Sequence, residues 1–177
     1  MNNAGIGTES IDRVTFEKFP SDVWSRIIKT DVDSVFEVSK VAGVVMRAQG
    51  CGRIINIASV AGIVPLQLQC AYSAAKAAVV NLTRAMAVEL GGQGLLINGI
   101  APGSTVTEGT KRLFYSEDGS FSGRAQEMLD HIPLGRPATV DEIAVAAQFL
   151  ADPENTYMNG HILTVDGGWI AGYHRDF

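Results

Sequence analysis

Tyr72 and Lys76 lie four residues apart in an alanine-rich stretch of the chain. On a helix, side chains four residues apart project from the same face, so the lysine ammonium can lie near the tyrosine hydroxyl. A phenol exchanges protons poorly at neutral pH, but a cation about 4 to 5 Å away stabilises the phenolate by roughly 3 to 4 kcal/mol at an effective dielectric constant of about 20. The pair therefore predicts a tyrosine that can exchange a proton with a substrate, although the same spacing also occurs on ordinary surface helices.

Ser59 precedes Tyr72 by thirteen residues and follows an apolar run, 53–58, that is typical of a buried strand. Open parallel sheets bind their ligands at the carboxyl ends of strands, which is where this serine would lie. Its hydroxyl can donate to a substrate oxygen while Tyr72 passes a proton to the same oxygen, which suits interconversion of a carbonyl and an alcohol. Taken alone, Ser59 also fits an ordinary turn at the end of a strand.

The residue patterns do not favour metal catalysis or acyl transfer by a catalytic triad. His131, His161 and His174 form neither an H-E-x-x-H motif nor a pair four residues apart, so no metal site is predicted. No serine lies in a G-x-S-x-G motif, which argues against acyl transfer by a catalytic triad.

The elements that must position these residues follow from the spacing of apolar side chains. Helical spacing covers 21–46, 71–90 and 143–150, and the capping box Thr139-x-x-Glu142 precedes the third helix. Short apolar runs at 53–58, 95–101 and 162–165 predict buried strands. A strand, helix, strand order requires a parallel crossover, so we expect an α/β fold around a parallel sheet. The segment 104–132 is long enough to be a lid.

Length and composition limit the possible partners. The 177 residues, 46% of them hydrophobic, fit one domain with a buried core. A net charge of −5 without a block of like charge argues against nucleic acids and against a polybasic membrane anchor. Cys51 and Cys70 fit neither a disulfide framework nor a zinc site, and there is no apolar run of roughly 18 residues and no export signal. We therefore expect a cytoplasmic protein whose partners are small molecules or copies of itself.

Six short motifs follow one another along nearly the whole chain. They are Asn2-Asn3-Ala4-Gly5, Ile54-Ile55-Asn56-Ile57-x-Ser59, Tyr72-Ser73-Ala74-Ala75-Lys76, Asn98-x-Ile100-Ala101-Pro102-Gly103-x-x-x-Thr107, Pro133-Leu134-Gly135-Arg136 and Val165-Asp166-Gly167-Gly168. In type, order and spacing they resemble the motifs of the short-chain dehydrogenase/reductase family. The resemblance implies the C-terminal part of a Rossmann-like, doubly wound parallel sheet with flanking helices.

The same resemblance implies roles for residues in four of these motifs. Tyr72 would be the general acid and base, Lys76 would favour its ionised form and hold the nicotinamide ribose, and Ser59 would orient the substrate carbonyl. A hydride would pass between NAD or NADP and a secondary alcohol or ketone, and 104–132 would be the substrate loop. Family members pack their two long helices into a homotetramer, which is the assembly we expect. The remaining residues implied to bind the cofactor are Asn3, Ala4, Gly5, Pro102, Gly103 and Thr107.

The sequence departs from the family in two respects. The first strands and the glycine-rich turn that seats the cofactor pyrophosphate are absent, so residues 1–177 are expected to form a single domain equivalent to the C-terminal catalytic part. In addition, Asp31 stands where the family usually has an asparagine that completes a proton relay. We include Asp31 among the candidate catalytic residues.

Two further questions stay open in the sequence. The tail at 168–177 is similar to the ends of family members that act on sugars and polyols, whereas the body of the chain equally suits a 3-oxoacyl reductase. A non-catalytic assembly or interaction subunit of the same fold is the alternative to an enzyme. The coding sequence upstream of Met1 would discriminate, since an in-frame strand followed by T-G-x-x-x-G-x-G favours the enzyme.

Overall fold

The computed structural model describes residues 1–115 and 121–172. Three parallel strands form its sheet in the order β1-β2-β3, with Ile54 opposite Ile97 and Ile100 opposite Leu163. The predicted strands and their parallel arrangement are confirmed to within one residue at each end. Their bounds are Gly52–Ile57 for β1, Leu95–Pro102 for β2 and Ile162–Val165 for β3.

Helices cover both faces of this sheet, because each strand carries apolar side chains on both of its sides. On one face, Ile54 and Ile97 pack with Ala87 beneath the long helices. On the other face, Ile55 and Ile100 pack against the last helix. The helices are α1 (Ser21–Ile28), α2 (Ser34–Gln49), α3 (Cys70–Leu90), α4 (Lys111–Phe114), α5 (Gly123–Leu129) and α6 (Val140–Ala151).

The first long helix contains a π-helical turn, which the sequence did not predict. α1 and α2 join through this turn, Lys29–Asp33, so the helix runs from Ser21 to Gln49 and is longer than the predicted 21–46. It ends at Gly50, whose φ of +74° is the left-handed conformation that favours glycine at this position. A π turn carries one extra residue within the helix, and such turns are frequent at functional sites.

The helix α6 begins at the predicted capping box. The Thr139 hydroxyl accepts from the Glu142 amide, and the Glu142 carboxylate accepts from the Thr139 amide. Glu142 also forms two hydrogen bonds with the Arg136 guanidinium, at 2.7 and 2.9 Å. The bonds from Arg136, followed by the bond from the Thr139 amide, lower the pKa of Glu142 to about 2.

The segment 104–132, predicted as a lid, has secondary structure and a small core of its own. Its helices α4 and α5 bury Phe114, Ala125, Leu129 and Ile132 together, and Trp169 packs against them. Residues 116–120 of the predicted lid and 173–177 of the tail lie outside the described residues. Within the described ranges, no helix combines the length and apolar character needed to cross a membrane.

Candidate active site

Tyr72 and Lys76 lie on the first turns of α3, where their side chains are close to each other. The Lys76 Nζ atom is 5.6 Å from the centroid of the Tyr72 ring. The lysine side chain is only 7% exposed, whereas the tyrosine is half-buried. The helical spacing predicted this proximity, and the burial of the ammonium strengthens its field at the phenol because little water screens it.

Asp31 meets Lys76 from the π turn and forms a buried ion pair with it. The Asp31 Oδ2 atom lies 3.0 Å from Lys76 Nζ, and the carboxylate is 0% exposed. The other oxygen, Oδ1, accepts a hydrogen bond of 2.7 Å from the backbone amide of Ile6. Gly5 passes directly over the pair, since a Cβ there would lie 3.0 Å from Asp31 Oδ2 and 3.1 Å from Lys76 Nζ.

Ser59 caps a short 3-10 turn, Val60–Gly62, that follows β1. Its Oγ accepts from the Ala61 amide at 3.1 Å, which leaves the hydroxyl hydrogen free to donate. Gly62 packs this turn against the backbone of α3, because a Cβ there would lie only 2.5 Å from the carbonyl carbon of Lys76. Lys76 Nζ also donates to the Ile57 carbonyl of β1 at 3.4 Å. Ser59 is thus held between the strand and the helix that carries Lys76.

The residues implied to bind a cofactor divide into two groups. Asn3, Ala4 and Gly5 are exposed and follow Asn2, whose backbone pairs with β1 at Ile55 and Ile57. This group lies next to the ion pair of Asp31 and Lys76, because the Ile6 amide donates to Asp31 and a Cβ at Gly5 would lie 3.0 Å from Asp31 Oδ2.

The second group lies at the end of β2. Pro102 is the last residue of the strand, and the Gly103 amide donates to the Val165 carbonyl. Thr107 is exposed in a separate turn, where its hydroxyl is 3.0 Å from that of Thr110. Among the described residues, the hydrogen bonds of Thr107 are with Thr110 and Lys111, and none reaches the Asp31, Lys76 and Tyr72 cluster.

A buried polar network, for whose members the sequence predicted no role, joins the elements around the site. The Asn2 side chain donates to Asn56 at 2.8 Å and to Ser39 at 2.9 Å. Asn56 donates in turn to Thr83 at 2.9 Å. The network ties the segment before Gly5 to β1, α2 and α3. Its signal in the sequence is a polar residue at a position where the strand or helix pattern requires an apolar one.

The described residues do not provide a set of ligands for a metal ion. Within residues 1–115 and 121–172, no three His, Cys, Asp or Glu side chains gather closely enough to hold a metal ion. The groups that meet at the candidate site are a phenol, an ammonium, a carboxylate and a hydroxyl, a set suited to moving protons and binding hydroxyl groups.

Known proteins share the sequence pattern of this chain. A family model described as enoyl-(acyl carrier protein) reductase matches residues 1–170. The chain is 40% identical over 171 residues to 2-dehydro-3-deoxy-D-gluconate 5-dehydrogenase of Bacillus subtilis, an alignment that covers 97% of this chain and 64% of the relative. It is 36% identical over 169 residues to 3-oxoacyl-[acyl-carrier-protein] reductase of Chlamydia muridarum, covering 95% of this chain and 63% of the relative.

Solved structures share the fold. The crystal structure of a gluconate 5-dehydrogenase from Burkholderia cenocepacia, in complex with NADP and tartrate, superposes with a TM-score of 0.85 at 34% identity. The match covers 97% of this chain and 64% of that protein. The chain therefore spans slightly less than two thirds of the length of these relatives.

Proposed function

This chain belongs to the short-chain dehydrogenase/reductase family, and we propose that it carries the catalytic residues of an NAD(P)-dependent oxidoreductase that interconverts a secondary alcohol and a ketone. The observation that carries the proposal is the buried Lys76 ammonium, 5.6 Å from the centre of the Tyr72 ring. A cation held there stabilises negative charge on the phenol oxygen, which helps the tyrosine exchange a proton with an alcohol.

Each of the three side chains has a distinct task in this proposal. Tyr72 accepts the hydroxyl proton of the alcohol in oxidation and returns it to the carbonyl oxygen in reduction. Lys76 stabilises the negative charge that Tyr72 carries between these steps. Ser59 donates its hydroxyl hydrogen to the substrate oxygen and so aligns it with Tyr72, while the Ala61 amide keeps the serine in place. When bound, the nicotinamide cofactor supplies or accepts the hydride.

The chemistry of the residues around Lys76 fits a nicotinamide ribose. An ammonium has three donors. Lys76 Nζ donates to the Ile57 carbonyl and forms an ion pair with Asp31 Oδ2, so it has donor capacity left for a ribose hydroxyl. Gly5 leaves the space over the ion pair free of a side chain. We propose that Asn3, Ala4, Gly5, Tyr72 and Lys76 hold the ribose side of NAD or NADP, and that Pro102, Gly103 and Thr107 hold the nicotinamide end.

The substrate we propose is a sugar acid, a polyol or a 3-oxoacyl thioester. Sequence identity of 36–40% to a sugar-acid dehydrogenase and to a 3-oxoacyl reductase supports this range. A panel of these three classes, assayed with NAD and with NADP in both directions, would identify the substrate and the preferred cofactor. The protein to assay is the one expressed from the complete reading frame.

The decisive experiment removes the Tyr72 hydroxyl. Tyr72→Phe keeps the ring beside Lys76 but removes the proton-carrying oxygen, so kcat should fall by at least about 100-fold while the Kd of the cofactor changes little. Tyr157→Phe is the matched control, because Tyr157 is fully exposed and lies outside the site. Near-normal turnover in Tyr72→Phe would refute the assignment. Absence of turnover and of cofactor binding in the wild-type protein would favour the alternative, an assembly subunit without catalysis.

We also propose that the protein assembles as a homotetramer through α2 and α3. These helices present a second, outer apolar face with a groove of about 310 Å³, whose lining includes Phe36, Val44, Leu82 and Met86. A face of this kind is characteristic of an interface between subunits. The free thiols Cys51 and Cys70 support a reducing compartment, for which we propose the cytoplasm.

A further inference from the structure

A cavity of about 460 Å³ lies between the segment that follows β1, the first turns of α3 and the segment before α1. Its volume is within the range of roughly 300 to 1,000 Å³ that is typical of small-molecule sites. The side chains that line it include Val14, Ala61, Ile63, Leu66 and Leu68. The cavity is therefore large enough to hold a ligand, or the part of a ligand that extends from a neighbouring site.

The cavity adjoins the residues that carry the proposed chemistry. Ala61 lines it and donates its amide to Ser59 Oγ. Ser73 also lines it and directly follows Tyr72, about 100° further around α3. The Ser73 hydroxyl accepts a hydrogen bond of 3.2 Å from the Leu66 amide, which holds the segment after β1 against the helix. A substituent of a ketone bound by Ser59 and Tyr72 is therefore within reach of the cavity.

The lining of the cavity is apolar. Among the described residues, no charged side chain lines it, and the polar side chains there are the Ser73 hydroxyl and the Cys70 thiol. The Ser73 oxygen is already an acceptor for the Leu66 amide, and a thiol is a weak donor. A sugar acid would bring a carboxylate and several hydroxyls, and each of these costs free energy when it is buried without a partner. A hydrocarbon chain needs no partner and is stabilised by leaving water.

Two features of the cavity rim also indicate an apolar ligand. Phe16, Ile63 and Leu68 line the cavity but are 80%, 43% and 39% exposed, so part of each large apolar side chain faces water. Adjacent exposed apolar side chains are characteristic of ligand-binding grooves. Leu68 has a φ of +60°, the only positive value that a residue other than glycine takes within the described ranges. This conformation is unfavourable for a bulky side chain, and residues held in it cluster at sites that clamp ligands.

We propose that this cavity binds the alkyl chain of a 3-oxoacyl thioester, so that the substrate of the site is an acyl chain and not a sugar acid or a polyol. This inference rests on the proposed function, because the chain is placed by a ketone held between Ser59 and Tyr72. Alkyl chains of increasing length should bind more tightly until they fill the cavity.

The kinetic test uses 3-oxoacyl N-acetylcysteamine thioesters of four, six and eight carbons with the protein expressed from the complete reading frame. Burial of each methylene should raise affinity roughly threefold to fourfold, so kcat/KM should rise at least about tenfold from four to eight carbons. Ala74→Phe should abolish this rise, because Ala74 is an exposed residue of α3 whose side chain lines the cavity. Ala151→Phe, the same substitution at the exposed end of α6, should keep it.

Binding is measured separately and without turnover. Octanoyl- and butanoyl-N-acetylcysteamine lack the ketone, and calorimetry should show that the octanoyl compound binds at least about tenfold more tightly to the wild-type protein and to Ala151→Phe. Ala74→Phe should bind the two compounds alike. Equal or undetectable affinities in the wild-type protein, as expected if a second copy of the chain covers the cavity, overturn the inference. A preference for octanoyl that persists in a folded Ala74→Phe protein also overturns it.

The same assays separate this inference from the proposed function. A higher kcat/KM for a sugar acid or a polyol than for every 3-oxoacyl substrate would overturn the assignment of the cavity to an alkyl chain. If the protein still turns over the four-carbon thioester, or a sugar acid, and Tyr72→Phe abolishes that turnover, the alkyl-chain site fails and the proposed function stands.

Discussion

At the scale of single residues, two ion pairs differ in how far water reaches them. Lys76 and Asp31 are almost completely buried, whereas the side chains of Arg136 and Glu142 are 50% and 42% exposed. Exposed pairs contribute little because water and salt screen them. Glu142 nevertheless connects the capping box of α6 to Arg136 by hydrogen bonds. The Tm of the protein should therefore depend on whether Glu142 is ionised.

The first prediction concerns this charge state. Because the pKa of Glu142 is lowered from 4.5 to about 2 in the folded protein, the carboxylate contributes stability that is complete above about pH 4.5 and is lost as the pH falls towards 2. Glu142→Gln keeps an acceptor for the Thr139 amide but removes the charge. Its Tm should be slightly below that of the wild type at pH 7 and should equal it near pH 2. A difference in Tm that stays constant from pH 7 to pH 2 would contradict the assignment.

The sequence predicts the residues of the site better than the contacts among them. The spacing of Tyr72 and Lys76 was sufficient, because a helix alone brings residues four apart together. Only the family resemblance predicted Asp31 as a site residue. A charged residue midway between the apolar residues Ile27 and Val35 is itself a signal of a buried polar position. The bond from Ile6 to Asp31 could not be predicted, since it depends on how a loop crosses a helix 25 residues further along the chain.

At the scale of elements, the π turn explains how one helix keeps a single buried face. Every fourth residue of this helix is buried, from Val23 through Asp31 to Gly43. A spacing of four exceeds the 3.6 residues of an α-helical turn, so a straight α-helix would rotate this series away from the core by about 40° at each step. The π turn has more residues per turn than an α-helix, so it rotates the series in the opposite direction and corrects part of this drift. Apolar patterns predicted the helix, but its extra residue follows from packing against α3.

A second prediction tests how the turn after β1 is seated. A methyl group at position 62 would lie 2.5 Å from the Lys76 carbonyl carbon, so Gly62→Ala must displace either the turn or α3. We expect a loss of about 1 to 3 kcal/mol in the free energy of unfolding, typical of overpacking. Gly92→Ala is the control, because a methyl group there meets no atom within 4 Å. Equal urea midpoints for the two variants would show that the turn is not tightly packed on the helix.

At the scale of the whole molecule, α2 is apolar on two sides. One side faces the sheet, and the other exposes Val38, Val41, Val44 and Val45, each more than half exposed. One sheet covers only one face of a helix, so the outer face is left to another subunit in the proposed tetramer. The sequence pattern predicted this surplus of apolar positions, whereas the groove between α2 and α3 needed the structure, because it depends on how the two helices cross.

The third prediction concerns this outer face. Val44→Lys places a charge in the groove between α2 and α3 and should convert the tetramer into smaller species at micromolar concentration. Ile11→Lys adds the same charge at a residue that is 84% exposed in the short 3-10 turn Ser10–Asp12, and should leave the assembly unchanged. Multi-angle light scattering measures the mass of each. A wild-type protein that is monomeric at micromolar concentration would refute the proposed assembly.

The parallel order of the strands also determines how the chain must fold. Gly52 pairs with Leu95 and Gly99 with Ile162, so no strand can find its partner through a hairpin. The first pairing closes a loop of 43 residues and the second a loop of 63 residues. The chain entropy lost in closing each loop is offset only after the strand contacts form. High contact order of this kind slows folding and leaves apolar strand edges open in the meantime. Yield on refolding should therefore depend steeply on protein concentration, even where the native state is stable.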